Sequence, residues 1–149
     1  MPILEVKNLR VSYHTYAGEV KSVRGVNFAL EKGEALAIVG ESGCGKSVTA
    51  KSVMGLIKAP QGEIKSGSEI LYNGENILNY DKKQWQNYKG GECAIIFQDA
   101  LAALNPTMKV GKQIMENLIA HKNMTKAEAE KEAVEMLRLV GIPEPEKRV

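Results

Sequence analysis

A glycine-rich segment has the residue types and the spacing of a phosphate-binding loop. It fits the pattern G-x-x-x-x-G-K-[ST] at every fixed position, as Gly40-Glu41-Ser42-Gly43-Cys44-Gly45-Lys46-Ser47. Glycines allow the backbone to fold closely around a phosphate chain, with its N–H groups pointing inward. The lysine offers a mobile charge to the β- and γ-phosphates, and the serine hydroxyl is a ligand for Mg²⁺. These residues predict a site for a nucleotide such as ATP and for Mg²⁺, with Val48 beside it.

A strand and a helix are expected to position this loop. Residues 35–39 form a continuous apolar run, which is typical of a strand buried on both faces of a parallel sheet. The pattern after the loop predicts a helix over about residues 46–57, ended by Pro60 and Gly62. The positive end of that helix dipole would face the phosphates. ATPases, GTPases and small-molecule kinases all share such a loop, so the loop alone does not name the reaction.

The rest of the pattern favours a β-rich first part and a helical second part. Alternating apolar residues predict strands at 3–13, 20–30 and 63–72, and a buried strand at 93–97. Asn73-Gly74 predicts a hairpin turn. Two capping boxes, Asp81 with Gln84 and Thr125 with Glu128, predict helix starts, and a further helix is expected over 110–121. A β-rich start followed by a helical tail therefore predicts two lobes.

Composition narrows the classes of function. The chain has 149 residues, a formal net charge of +2 and 26% charged residues, with lysines and acids interleaved. This is not the concentrated basic face of a nucleic-acid binder, so no nucleic acid is expected as a partner. No apolar run is long enough to span a bilayer and no leader is evident, so a cytoplasmic location is expected. The spacing of Cys44 and Cys93 predicts two reduced thiols.

Three further features make the pattern specific to one family. An aromatic residue, Tyr13, precedes the loop; Gln98 ends the run 93–97; and Leu104-Asn105-Pro106 follows. Together with the phosphate loop, this combination resembles the ABC ATPases. The resemblance implies that Tyr13 stacks on adenine, with Tyr16 as the alternative, and that Gln98 is the glutamine that contacts Mg²⁺ and the attacking water. Lys46 and Gln98 are then the catalytic residues, and Ser47 and Gln98 the residues at the metal.

Within that family the chain is similar to the branch that imports dipeptides, oligopeptides and nickel. Residues 40–49, 96–99, 104–106 and 140–143 carry this similarity, with one departure: Ala100 stands where the branch usually has proline. The resemblance implies an α/β P-loop NTPase core with an antiparallel β subdomain at 1–99 and the start of a helical subdomain at 100–149. It also implies transmembrane permease subunits near Gln98, a second ATP-binding subunit, identical or not, and a location on the inner face of the cell membrane.

The 149 residues contain none of the later motifs of these ATPases: no LSGGQ-type string, no apolar strand ending in Asp-Glu and no switch histidine. We interpret the chain as a truncated, N-terminal half of such a subunit and expect it to be inactive by itself. One alternative is a complete small kinase with Asp99 as its acidic residue, but Gln98 interrupts the motif and the arginines are scattered. Another is a regulatory module that binds nucleotide without turnover. We expect His14, His121 and Trp85 to have surface or packing roles.

Overall fold

The structure is a computed structural model that describes residues 1–99 and 103–149. Those residues form two compact units, Met1–Gln86 and Asn87–Val149. The departure at Ala100 lies outside the described residues. Each unit has its own secondary structure, and the phosphate-binding motif belongs to the first.

The first unit is built on one antiparallel sheet. Its long strands are β1, Leu4–Thr15, and β2, Gly18–Leu30, and its helix after the glycine-rich loop is α1, Lys46–Val53. Three short strands follow: β3 at Gly62–Ile64, β4 at Glu69–Tyr72 and β5 at Glu75–Asn76. The order across the sheet is β2-β1-β4-β5, and β3 also pairs with β1. A 3₁₀ turn, Ile77–Asn79, and helix α2, Lys82–Asn87, complete this part of the chain.

Strand β1 lies at the centre of the sheet and supplies most of the core of this unit. Val6, Leu9 and Val11 are almost completely buried, as are Ile70 of β4 and Ile77 after β5. The pairing of β1 with β2 shifts register three times: β1 has an extra residue opposite Asn27, and β2 has extra residues at Gly25 and Ser22. The predicted strand alternation of the first 30 residues is confirmed. The strand predicted over 63–72 is divided into β3 and β4, because Gly67 has φ 80° and turns the chain between them.

Short-range signals in the sequence have the expected geometry. The backbone at Asn73 and Gly74 has φ 49° and 85°, which are the two positive values of a tight hairpin turn. The Asp81 carboxylate accepts from the Gln84 N–H at 2.8 Å, and the Gln84 side chain accepts from the Asp81 N–H at 3.0 Å. This reciprocal pair opens α2, so that capping box is confirmed.

The second unit is mainly a pair of helices, α3 at Val110–Lys122 and α4 at Lys126–Leu139. An irregular turn, Tyr88–Glu92, precedes them and a 3₁₀ turn, Pro145–Lys147, follows. The core of the pair consists of small and apolar side chains from both helices: Met115, Leu118, Ala129 and Ala133. Thr125 and Glu128 form the predicted capping box at the start of α4. No helix in the described part of the chain is long and apolar enough to cross a membrane.

Two strand predictions are wrong. Residues 35–39 form no strand, and Leu36, Ile38 and Val39 are exposed, with Val39 at 90%. In the segment 93–97, Cys93 forms an isolated bridge with Lys89, and residues 94–97 have no ladder. A strand exists only where a neighbouring strand satisfies its N–H and C=O groups, and no described residue forms such a neighbour for these segments. Helix α1 is also shorter than predicted, since it ends at Val53.

Candidate functional site

The phosphate-loop motif forms a compact turn that leads directly into α1. Gly43 has φ 80° and Gly45 has φ 94°, both in the left-handed region where side chains are disfavoured. Backbone that alternates between left- and right-handed residues turns its N–H groups toward one side. The first four N–H groups of a helix have no partner within the helix, so the start of α1 adds further donors on that side. The loop therefore has the geometry of an anion-binding nest.

Gly45 is required for a second reason, which is a close approach to strand β2. A Cβ atom on Gly45 would lie 2.5 Å from the carbonyl oxygen of Ser22 and 3.4 Å from a methyl group of Val23. Ser22 is the extra residue at a register shift, because Val11 pairs with Val23 and Ser12 pairs with Lys21. The bulge in β2 therefore packs directly against the loop. The sequence analysis missed this contact, which joins residues far apart in the chain.

The Lys46 ammonium lies over the loop itself. Its Nζ donates to the carbonyl oxygens of Gly40 at 2.6 Å and of Glu41 at 2.5 Å, and lies 3.5 Å from Sγ of Cys44. These contacts hold the charge against the backbone of the loop. Ser47 is exposed on the first turn of α1, and Val48 is half-buried next to it. The motif residues that the sequence predicts are thus brought together in one local site.

Two buried hydroxyl groups hold the start of α1 in place. Thr49 is 3% exposed, and its hydroxyl donates to the carbonyl of Gly45 at 3.0 Å. One turn later the hydroxyl of Ser52, which is fully buried, donates to the carbonyl of Val48 at 2.8 Å. Each bond runs from residue i to residue i−4, a pattern that lets a polar side chain be buried against a helix. Thr49, two positions after the motif serine, was the residue in the sequence that could have predicted this anchoring bond. The sequence analysis did not use it.

The two candidate adenine-binding tyrosines lie in different environments. Tyr13 is half-buried in β1, where it pairs with Val20 and Gly62. Residues two apart in a strand share a face, so Tyr13 lies on the same side as Val11 and its partner Val23, the residue that touches the phosphate loop. Tyr16 is fully exposed in the turn between β1 and β2. Tyr13 therefore lies on the face of the sheet that contacts the phosphate loop.

Gln98 belongs to the second unit and is exposed at the end of the segment 93–97. The turn at residues 105–108 is held by a side chain that the sequence analysis did not single out. Gln113 of α3 accepts from the N–H of Asn105 at 2.9 Å and donates to the carbonyls of Asn105 and Met108 at 3.0 and 3.1 Å. The Asn105 side chain in turn accepts from both the N–H and the hydroxyl of Thr107. The Leu-Asn-Pro motif is therefore a fixed turn docked on α3.

The ionisable groups with shifted pKa values lie outside the phosphate loop. Lys65 forms ion pairs with Glu63 at 2.6 Å and with Glu19 at 2.9 Å. Hydrogen bonds from Lys65 and Ser12 lower the pKa of Glu19 to about 2, and those from Lys65 and His14 lower the pKa of Glu63. Among the described residues no group of three or more His, Cys, Asp or Glu side chains forms a metal-binding cluster.

Comparison with a solved structure agrees with this architecture. The structure described as the dimeric structure of MJ0796, a bacterial ABC transporter cassette, superposes with a TM-score of 0.75 over 95% of this chain and 58% of that one. The sequence identity is 22%, so this likeness concerns the fold alone. The class that fold and loop define is a P-loop NTPase of the cassette type.

Sequence comparison then gives the family. The family model described as ABC transporter matches residues 23–149. The chain belongs to the ABC transporter family. It is 57% identical to the oligopeptide transport ATP-binding protein OppD of Bacillus subtilis (strain 168), over 99% of this chain and 41% of that protein. It is 54% identical to the dipeptide transport ATP-binding protein DppD of Lactococcus lactis subsp. cremoris (strain MG1363), over 97% of this chain and 41% of that protein. The chain thus spans about two-fifths of the length of these relatives.

Proposed function

We propose that this chain is the nucleotide-binding part of an ATPase subunit that powers peptide import across a cell membrane. The observation that carries the proposal is the phosphate loop, which opens α1 with the Lys46 ammonium held over its carbonyl oxygens. The relatives with the highest identities are named for oligopeptide and dipeptide transport and for ATP binding. Peptides are therefore favoured over nickel as the transported substrate.

The phosphates bind to backbone donors and to one mobile charge. The N–H groups of the loop and of the first turn of α1 donate to the β- and γ-phosphates. Lys46 exchanges its bonds to the Gly40 and Glu41 carbonyls for phosphate oxygens, which are stronger acceptors because they carry charge. The side chains of Glu41, Ser42 and Cys44 line the loop, while the backbone does most of the binding.

Magnesium fits the oxygen ligands at the start of α1. The exposed hydroxyl of Ser47 is a hard oxygen donor, and Mg²⁺ usually completes its shell with phosphate oxygens and water. When bound, the ion neutralises charge on the β- and γ-phosphates. The assignment of Gln98 to the ion and the attacking water rests on its place in the motif. Tyr13, on the loop side of the sheet, stacks on the adenine ring.

The partners are membrane subunits and a second ATP-binding subunit, and the location is the inner face of the membrane. The segment around Gln98 would form the membrane-subunit contact. This assignment rests on the family resemblance of the motif at Gln98, beside which Ile96 and Phe97 are 95% and 41% exposed. Residues 1–99 then form the nucleotide-binding core and 100–149 begin the helical subdomain. No nucleic acid takes part.

Peptide uptake tests this proposal in the full-length subunit, reconstituted with its membrane subunits in vesicles. Lys46→Ala removes the charge that faces the phosphates, so ATP-dependent uptake should fall at least about a hundredfold. Lys51→Ala is the matched control, because Lys51 is an exposed lysine of the same helix. Uptake that continues at the wild-type rate in the Lys46→Ala protein would exclude an ATP-driven role for this loop.

The 149-residue chain by itself should bind nucleotide with negligible turnover. Phosphoryl transfer also needs an acidic residue for the metal and a group that orients water, and the motifs that supply them are not in these 149 residues. A phosphate-release assay checks this. Steady release on the order of one per second, abolished by Lys46→Ala, would contradict it.

A further inference from the structure

The antiparallel sheet has a charged trough on the face of β1 that carries Arg10 and Ser12. The trough has a volume of about 600 Å³ and is lined by four cations and two carboxylates: Arg10, Lys21, Arg24, Lys65, Glu19 and Glu63. Arg10 and Ser12 alternate along β1 with Val11 and Tyr13, so they lie on the other face of the strand. None of the lining residues belongs to the phosphate loop. Lys21, Val23 and Arg24 also line a hollow together with Gly43 and Cys44, so the trough and the phosphate loop adjoin the same stretch of β2.

The carboxylates in the trough are already engaged. Lys65 pairs with both of them, at 2.6 Å to Glu63 and 2.9 Å to Glu19. Arg10, Lys21 and Arg24 form no ion pair with any carboxylate of residues 1–99 and 103–149, although the charge of Lys21 helps to lower the pKa of Glu19. The trough thus has three cationic side chains that lack a direct anionic partner.

The two arginines lie directly opposite each other. Arg10 and Arg24 are paired residues in the β1–β2 ladder, and like charges at such positions repel. Neighbouring polar groups hold both guanidinium groups in place. Nε of Arg10 donates to the Asn8 side chain at 3.1 Å, and Nε of Arg24 donates to the Lys21 carbonyl at 3.3 Å. Each guanidinium has five N–H donors, so its terminal nitrogens keep donors for another group.

We propose that Arg10, Arg24 and Lys21 form a second anion site, which binds the phosphate groups of a small soluble molecule. Two neighbouring guanidinium groups can bind the oxygens of one phosphate, because each guanidinium donates two parallel hydrogen bonds. Glu19 and Glu63 lie in the same trough. Their negative charge repels a flat anionic membrane surface, whereas a small ligand enters between them and contacts the arginines. A bound anion also removes the repulsion between Arg10 and Arg24.

Pyrophosphate is the probe, and calorimetric titration is the measurement. The phosphate loop also binds phosphate groups, so every protein in the comparison carries Lys46→Ala. This background chain should bind pyrophosphate with a dissociation constant of about a millimolar or tighter. Adding Arg10→Gln and Arg24→Gln should weaken binding at least about tenfold. Adding Arg138→Gln should change it less than about twofold, because Arg138 is an exposed arginine that already pairs with Glu135 and Glu146.

Thermal unfolding without ligand shows whether the double variant folds. Its midpoint should equal or exceed that of the background chain, because the substitutions remove a repulsive pair. If it is lower, Lys21→Gln alone replaces the double variant, and it should weaken pyrophosphate binding several-fold, on the order of a lost charge-assisted contact. Equal affinity in all variants, or an equal loss in Arg138→Gln, would overturn the proposal.

Binding to lipid vesicles tests whether the bound phosphate belongs to a lipid headgroup or to a small soluble molecule. The background chain is mixed with phosphatidylcholine vesicles that contain roughly one-fifth phosphatidic acid, a charge density at which basic clusters bind membranes. No binding to these vesicles is expected. Vesicle binding that is lost in the double variant, together with no response to pyrophosphate, would overturn the assignment to a small soluble molecule.

Discussion

The phosphate loop is held by residues close to it in the chain and by one contact with β2, whereas the segment 93–98 exposes apolar side chains and lacks a strand ladder over 94–97. In the loop, Lys46 bonds to carbonyls five and six residues away, and Thr49 bonds to Gly45. In the segment, Ile96 is 95% exposed, Gln98 is exposed and residues 94–97 form no ladder. The family resemblance assigns Lys46 of the loop and Gln98 of the segment to the same reaction, ATP hydrolysis.

The difference between the two regions has a physical cause. A turn with glycines at positive φ and a helix start is stabilised by bonds that span a few residues. A central parallel strand is stabilised by ladders on both sides, which involve residues distant in sequence. We therefore expect substitutions in the loop to affect the isolated chain strongly and substitutions in the segment to affect it weakly.

The largest effect is expected from Gly45→Ala. The new Cβ would lie 2.5 Å from the Ser22 carbonyl oxygen, and φ of 94° is unfavourable for alanine. Overlap and backbone strain together should reduce the free energy of unfolding by at least about 3 kcal/mol. Gly43→Ala is the matched control: φ is 80°, but no atom lies within 4 Å of the new Cβ, so a loss of about 1 kcal/mol is expected. Urea unfolding measures both, and equal losses would show that the β2 contact does not position the loop.

A smaller effect on affinity is expected from Tyr13→Ala. Loss of one aromatic–base stack should weaken ADP binding about tenfold, whereas Tyr16→Ala should change it less than about twofold. Tripolyphosphate lacks the base, so its affinity should be the same in both variants and in wild type. Calorimetric titration compares the ligands. A tenfold loss in Tyr16→Ala alone would move the adenine site to the turn between β1 and β2.

The smallest effect is expected at the capping box that opens α4. Thr125→Ala removes the side chain that caps α4 and should lower the free energy of unfolding by about 1 kcal/mol. Hydrogen bonds from Thr125 also lower the pKa of Glu128, so their contribution is present above the ordinary carboxyl pKa and is lost as pH falls through the lower folded value. Urea unfolding measured from neutral pH downward should show a weaker pH dependence in Thr125→Ala. An unchanged pH dependence would show that Thr125 does not lower the pKa of Glu128.

The same physical cause explains which features the sequence predicts. The phosphate loop, the Asn73-Gly74 turn and both capping boxes depend on a few neighbouring residues, and each was predicted from its residue types. The approach of Gly45 to Ser22 and the bonds of Gln113 to the Asn105 turn depend on contacts that no local pattern contains. Residues 35–39 have the composition of a buried strand, but composition does not supply the neighbouring strand that a ladder requires.

Parallel titration of Mg-ADP into wild type, Lys46→Ala and Gln98→Ala tests the contrast between the two regions most directly. Lys46 faces the phosphates, so its removal should weaken binding at least about a hundredfold. Gln98 is expected to contact the metal and water rather than the phosphate chain, so its removal should change the affinity less than about threefold. Wild-type affinity in Lys46→Ala, or an equal loss in Gln98→Ala, would contradict the account of a locally built nucleotide site.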